Sequence, residues 1–139
     1  MSDEKRQTEQ NPDSGVGQQD YFNSAMETAN QQLRKGEAPQ ALTLINETIE
    51  QAKEWNDQMN QARLLGLKGI ALKQIGNPKQ AVSSFRKSEK IARGIEHLPI
   101  LIDALTQIAK IRVERREADQ AVPILEEAYR NAFESQDHR

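Results

Sequence analysis

The chain repeats its small apolar residues at a spacing of forty positions. Two sets of three alanines keep this spacing: Ala41, Ala81 and Ala121, and Ala52, Ala92 and Ala132. Larger apolar side chains follow the first set with the same step, at Ile45, Phe85 and Leu125. A fixed period in this range is typical of repeat arrays, in which each unit buries its apolar face against the next. The sequence therefore predicts three similar units in tandem.

Each unit has the pattern of two helices. Apolar residues recur at intervals of three and four, as in the set Ala121, Ile124, Leu125, Ala128, Tyr129 and Ala132. Gly76, Asn77 and Pro78 form a helix stop, an N-cap and a proline at a first helical position. We predict six helices, near residues 20–34, 39–55, 58–75, 78–95, 99–115 and 119–134. The predicted fold class is all-α, with three tandem helical hairpins over about residues 20–57, 58–97 and 98–134.

The two ends of the chain have a different composition. Residues 1–19 are polar and contain Met1 and Val16 as their only aliphatic side chains. Burying this small apolar surface cannot offset the conformational entropy that the segment would lose on folding. We therefore predict a disordered N-terminal tail. Residues 135–139 are predicted to be a frayed C-terminus.

Composition argues against most chemical functions. The chain has no cysteine, which excludes disulfides, thiolate metal sites and a cysteine nucleophile. The two histidines, His97 and His138, have neither a second histidine nor a glutamate at metal-ligand spacing. No motif offers a phosphate-binding loop or an acid–base pair in a pocket. We therefore predict a protein that is not an enzyme and has no metal and no cofactor.

The charge balance limits the choice of partner. Residues 21–139 carry 17 basic and 16 acidic side chains, a net charge of +1. Nucleic-acid binding needs a clustered excess of Lys and Arg, so it is not expected. No apolar run is long enough to span a membrane, and the N-terminus lacks the apolar stretch of a signal peptide. We predict a cytoplasmic protein with no nucleic-acid or membrane partner.

The second unit carries a family resemblance. The matching residues are Leu65, Gly69, Ala71, Leu72, Gly76, Asn77, Pro78, Ala81, Phe85 and Ala92. They resemble the tetratricopeptide repeat (TPR) family, which pairs two antiparallel helices per unit with small residues where the helices cross. The period is forty residues instead of the usual 34, as in long-repeat variants of the family. Lys68 stands where the family usually has leucine, and Thr48 and Ser88 replace the small alanine kept at Ala128.

The resemblance implies a short right-handed solenoid that binds a peptide or protein segment on its concave face, which the first helix of each unit lines. Transfer by position gives the groove residues Asn23, Met26, Asn30, Leu33, Arg34, Arg63, Gly66, Ile70, Lys73, Gln74, Asp103, Thr106, Lys110, Val113 and Glu114. Four cations and two acids alternate with apolar side chains in this set, which favours a partner with acidic and apolar residues. The alternative is that these residues form ordinary solvated helix faces.

A subset of the family grips a C-terminal carboxylate through a clamp of lysines, asparagines and an arginine. Asn30 matches one clamp position, but Met26, Leu67, Asp103 and Gln107 occupy the others. The resemblance therefore does not imply a carboxylate clamp in this chain.

The last predicted helix leaves apolar residues with nothing to cover them. Val122, Tyr129 and Phe133 are expected on its uncovered side, where exposed apolar patches often mark a protein contact. They predict a homo-oligomer formed through this helix, unless the chain is part of a longer array or the exposed end is tolerated because it is small. The leading functional prediction is a non-enzymatic protein-interaction module. The alternatives are a structural assembly protein that self-associates through the last helix and a peptide-sensing regulatory domain.

Overall fold

The computed structural model describes residues 15–137, with side chains placed for residues 17–134. In this range the chain forms six helices and no strand. The helices are α1 (Gly15–Arg34), α2 (Ala38–Glu54), α3 (Gln58–Ile75), α4 (Pro78–Gly94), α5 (Leu98–Glu114) and α6 (Ala118–Asp137). Successive helices pack in pairs as three hairpins, α1 with α2, α3 with α4, and α5 with α6.

The four inner helices begin and end within one residue of the predicted bounds, but the two outer helices are longer than predicted. Helix α1 begins at Gly15, so residues 15–19 are helical although we predicted them in the disordered tail. Contacts with two other elements hold this first part of α1. The Asn60 amide on α3 donates to Gln19 Oε1 at 3.1 Å, and the Trp55 ring packs edge-on against Tyr21 and Phe22. Helix α6 continues to Asp137, into the predicted frayed end, while residues 1–14 and 138–139 lie outside the described residues.

The five loops between these six helices share one geometry, repeated every twenty residues. Each loop contains one residue with a positive φ: Gly36, Asn56, Gly76, Glu96 and Arg116. In the third loop the Gly76 N–H donates to the Lys73 carbonyl at 3.0 Å, and the Asn77 N–H donates to the Leu72 carbonyl at 2.9 Å. The other four loops repeat this pair of bonds, which is the Schellman arrangement that ends a helix. The backbone therefore repeats at half the period of the side chains.

The core of each hairpin places a small residue opposite a large one. In the second hairpin, a Cβ atom added to Gly69 would lie 2.5 Å from ring atoms of the buried Phe85. Glycine is required there because the ring occupies the space that a methyl group would need. One unit earlier and later the small position holds Ala29 and Ala109, which are also buried.

The hairpins stack more closely along one side than along the other. The first helices approach one another directly, α1 to α3 and α3 to α5, and in residues 15–137 no comparable backbone contact joins the second helices α2, α4 and α6. The array therefore curves toward α1, α3 and α5, which form an inner face, and opens on the outer face. A side-chain bridge spans the outer gap between α4 and α6, where the Arg93 guanidinium of α4 donates to Glu127 of α6. Arg93 also donates to Glu89 within α4. These bonds raise the pKa of Arg93, and Arg93 lowers the pKa of Glu127.

Candidate functional site

The inner face contains a cleft of about 490 Å³ that takes its walls from four helices. We call it the inner cleft. Its lining residues are Met26 and Asn30 of α1, Ala62, Arg63, Gly66, Leu67 and Ile70 of α3, Phe85 and Ser88 of α4, and Ile100, Asp103, Ala104 and Gln107 of α5.

Glycine and aliphatic residues of α3 give the inner cleft its depth and its apolar floor. A Cβ atom added to Gly66 would meet no atom within 4 Å, so the missing side chain leaves open space above the helix. Leu67 and Ile70 are half-buried beside it, and Met26 faces the same cleft from α1. The floor can therefore accept an apolar side chain from outside.

Two opposite charges lie at the inner cleft without partners of their own. Arg63 of α3 and Asp103 of α5 both line the cleft, and among residues 15–137 neither has a hydrogen-bond or ion-pair partner. The Asp103 side chain stays accessible from the cleft, and its partial burial raises the pKa of its carboxyl because loss of solvent disfavours the charged form. A cation from a partner would stabilise the charged form of this carboxylate, and Arg63 offers a guanidinium to an acid.

The structure brings together six of the residues predicted for the groove. They are Met26, Asn30, Arg63, Gly66, Ile70 and Asp103. The other predicted residues lie elsewhere on α1, α3 and α5: Asn23, Leu33, Arg34, Lys73, Gln74, Thr106, Lys110, Val113 and Glu114. Leu33 is only 6% exposed, so it belongs to the core and cannot line a groove. The Thr106 hydroxyl donates to the Ile102 carbonyl at 2.7 Å within α5.

One predicted cation is already neutralised. Lys73 Nζ on α3 lies 2.9 Å from Glu114 Oε1 on α5, so two residues predicted to bind a partner bind each other. The pair joins the second and third hairpins across the inner face. Arg63 is therefore the cation that the inner cleft itself presents.

Phe85 and Ser88 line the inner cleft although the groove prediction did not include them. They belong to α4, and the family geometry assigns the concave face to the first helix of each unit. Their side chains reach the cleft because Gly69 and Ala62 of α3 lack bulk. The Ser88 hydroxyl donates to the Ala62 carbonyl at 2.8 Å, which ties α4 to α3 below the floor.

All five positions that correspond to the carboxylate clamp line the inner cleft: Met26, Asn30, Leu67, Asp103 and Gln107. The side chains at these positions do not have the chemistry of such a clamp. Asp103 places a negative charge where the clamp would bind a carboxylate, and Met26 and Leu67 offer no donor. A free carboxylate is poorly matched to this set of residues.

The outward side of α6 is apolar and exposed. Val122, Tyr129 and Phe133 are 53%, 75% and 65% exposed, and they follow one stripe of the helix at intervals of seven and four. These three side chains are therefore exposed, as the sequence predicts. Self-association through them stays a prediction.

The described part of the chain has neither a cluster of metal ligands nor a membrane-spanning helix. Residues 15–137 contain no group of three or more histidine or acidic side chains placed to hold a metal ion. No helix in this range combines the length and apolar character needed to cross a membrane.

Comparison with solved structures finds the same architecture in the TPR domain of Arabidopsis FLU. The two structures superpose with a TM-score of 0.74 at 17% sequence identity, over 83% of this chain and 97% of the FLU domain. No family model matches the sequence, and no curated protein matches it. The structural likeness confirms the predicted fold class, an all-α solenoid of TPR-like hairpins.

Proposed function

We propose that this TPR-like protein is a non-enzymatic interaction module that binds a peptide or protein segment in its inner cleft. The observation that carries the proposal is the composition of the cleft, which combines an apolar floor with two unpaired and opposite charges. Concave surfaces of this kind are the usual binding surfaces of helical repeat proteins.

The cleft favours a segment that combines three kinds of side chain. An apolar residue fits above Gly66, next to Leu67 and Ile70. An acidic residue of the segment would pair with Arg63, and a basic residue would pair with Asp103. This ligand contains a base in addition to the acidic and apolar residues that the sequence favours, because Asp103 lines the cleft and Lys73 is paired with Glu114.

The polar groups in the cleft are suited to binding more than to catalysis. Ser88 is buried and its hydroxyl donates to a backbone carbonyl, so it has no base beside it. Asp103 is the one carboxylate among the lining residues, and the lining contains no histidine. A mechanism that uses a general acid together with a general base would therefore find one candidate group in the lining, Asp103, and no second one.

Selection from a random peptide display library on the intact protein tests this proposal. Gly66→Leu fills the cleft without meeting another atom at its Cβ, so it should abolish binding of those selected peptides that occupy the inner cleft. Gly94→Leu is the matched control, because Gly94 is also helical and open but does not line the cleft. The proposal would be contradicted if every selected peptide bound Gly66→Leu as well as it binds the unmodified protein.

Arg63→Glu and Asp103→Lys separate the two charges. Each single change should weaken the peptides that Gly66→Leu abolishes. Arg63→Glu should favour peptides with a base in place of the acid, and Asp103→Lys should favour peptides with an acid in place of the base. If neither change alters the selected sequences, the charges do not contribute to recognition.

A second candidate function is assembly through α6. Tyr129 and Phe133 expose most of their surface and lie one turn apart on α6, and contiguous exposed apolar patches often mark a protein contact. Sedimentation of the intact protein over a range of concentrations measures the association directly. Tyr129→Glu with Phe133→Glu should yield a monomer, whereas a monomer without these changes would exclude this function.

A further inference from the structure

A second recessed surface lies on the outer face, between α2 and α4 with α3 beneath it. Its volume is about 550 Å³, and we call it the lysine cleft. Ile49, Leu65 and Ile91 supply aliphatic surface to it, and Asn46, Glu50 and Gln61 supply polar groups. Four lysines complete the lining: Lys53 of α2, Lys68 of α3, and Lys87 and Lys90 of α4.

The charge of this cleft is uncompensated. Glu50, its one acid, lies 3.4 Å from Lys53 within α2. Lys68, Lys87 and Lys90 have no ion-pair partner among residues 15–137. Glu89, the acid next to Lys90, is bound by Arg86 and Arg93. Four lysines and one glutamate give the cleft a charge of +3, while residues 21–139 together have +1, so the remainder of that range sums to −2.

The repeat shows what is missing from the lysine cleft. One unit later, the gap between α4 and α6 is bridged by Arg93 and Glu127. The residues forty positions earlier are Lys53 and Lys87, which face the gap between α2 and α4. Two cations repel each other where a cation and an acid would attract. The acid that closes the later gap is therefore absent from the earlier one.

Lys68 adds a second indication. The equivalent position in the third unit is Ile108, which is fully buried, and TPR units usually have leucine there. Lys68 is half-buried, so its aliphatic stem covers the floor while its ammonium group reaches the cleft. An aliphatic side chain at position 68 would pack equally well. Packing therefore does not explain the charge of Lys68.

We propose that the lysine cleft binds an acidic segment of a partner protein, with carboxylates on Lys68, Lys87 and Lys90 and an apolar side chain on the floor. A carboxylate of the partner would lie between Lys53 and Lys87 and so join α2 to α4. In the next unit the Arg93–Glu127 pair joins α4 to α6. A protein segment suits the site better than nucleic acid, because no aromatic ring lines the cleft for base stacking. It also suits the site better than a bilayer, because a flat membrane surface cannot reach a recessed floor.

The same peptide display selection tests this second surface when it is repeated with Lys87→Glu. That change recreates the Arg93–Glu127 arrangement with Lys53, so it should close the cleft and preserve the fold. The selection should yield peptides rich in Asp and Glu with aliphatic residues between them. Lys87→Glu should lower the affinity of these peptides at least about tenfold. The change removes an attractive pair between Lys87 and a peptide carboxylate and puts two negative charges together in its place.

Lys79→Glu is the matched control, since Lys79 is also exposed on α4, carries the same charge and lies outside both clefts. It should change the affinity less than about twofold. Lys68→Leu is a second variant that removes the charge and keeps an aliphatic side chain, and it should weaken the same peptides. Circular dichroism on all three variants reports whether each remains helical.

Several results would overturn the proposal. Selected peptides without acidic enrichment would do so, as would equal losses with Lys87→Glu and Lys79→Glu. A single-stranded oligonucleotide or phosphatidylserine vesicles that bind through Lys87, in place of any acidic peptide, would assign the cleft to another ligand class. Gly66→Leu should not affect peptides bound here, so failure at the lysine cleft is distinguishable from failure at the inner cleft.

Discussion

The second and third hairpins have the same backbone but differ in the residues that hold it. The second turns at Gly76, with φ of +91°, and Asn77 then caps α4 by accepting the Gln80 N–H at 3.2 Å. The third hairpin turns at Arg116, with φ of +62°, a left-handed backbone conformation that is strained for a residue with a side chain. Helix α6 also contains Pro123, which removes a backbone donor and crowds the preceding turn.

The difference matters because both clefts depend on the second hairpin. Helix α3 lines the inner cleft with Arg63 and Gly66 and the lysine cleft with Leu65 and Lys68. Helix α4 also contributes to both. The third hairpin supplies one wall of the inner cleft through α5, and α6 leaves its outer stripe exposed. The best-formed unit thus holds the binding surfaces, and local opening is expected first in α6.

The sharpest test of the second hairpin is Gly69→Ala. The added methyl group would overlap the Phe85 ring, so we expect a loss of about 2–3 kcal/mol in the free energy of unfolding. Urea denaturation measures the loss. Gly66→Ala on the same helix is the control and should gain about 0.5–1 kcal/mol, because its Cβ meets nothing and alanine favours the helix.

Combining Gly69→Ala with Phe85→Leu imitates the third hairpin, in which Ala109 and Leu125 occupy these positions. The double variant should recover most of the lost stability, since the smaller side chain leaves room for the methyl group. Equal instability of the single and double variants would show that the two residues do not fit each other as described.

Pro123→Ala should strengthen the third hairpin. Alanine supplies an N–H that can donate to the Asp119 carbonyl in the second turn of α6. We expect a gain of about 1–2 kcal/mol, less than the roughly 3 kcal/mol of a mid-helix proline, because the unfolded chain also gains freedom. Hydrogen exchange of α6 amides, which should slow down, locates the effect. Unchanged exchange would mean that proline does not weaken this helix.

Arg116→Gly removes the strain from the third hairpin's turn and should gain about 1 kcal/mol. The reciprocal change, Gly76→Ala, should cost the second hairpin a similar amount. Thermal unfolding of the two variants should shift in opposite directions. Shifts in the same direction would indicate that side-chain contacts, and not φ, decide the stability of these turns.

The fold was predictable because its determinants are local and repeated. Forty-residue spacing of alanines identified the units, and Gly76, Asn77 and Pro78 fixed a helix boundary to the residue. The start of α1 was not predictable in this way. It depends on Asn60 bonding to Gln19, 41 positions away, and on Trp55 packing against α1, and neither contact has a local pattern.

The site was predictable in outline only. Repeat geometry placed Arg63 and Asp103 on the inner face, but it could not show that Lys73 and Glu114 pair or that Leu33 is buried. Those outcomes depend on the rotation of each helix and on side-chain reach. The lysine cleft was missed because Lys53, Lys68 and Lys87 come from three helices, and a net charge of +1 conceals a local charge of +3.

The smallest expected effect concerns Asp103, which connects the third hairpin to the inner cleft. Its pKa is raised above the usual 3.8 by burial, so the folded protein binds this proton more tightly than the unfolded chain does. Its contribution to stability therefore falls as the pH rises above 3.8 toward the raised value. Asp103→Asn should raise the melting temperature slightly at neutral pH and leave it unchanged below pH 3.8. The same variant should weaken peptides that carry a base, because it removes the carboxylate that pairs with them. A stability gain of the same size at neutral pH and below pH 3.8 would show that the charge of Asp103 does not cause the gain. The carboxylate that lines the inner cleft would then not lower the stability of the third hairpin.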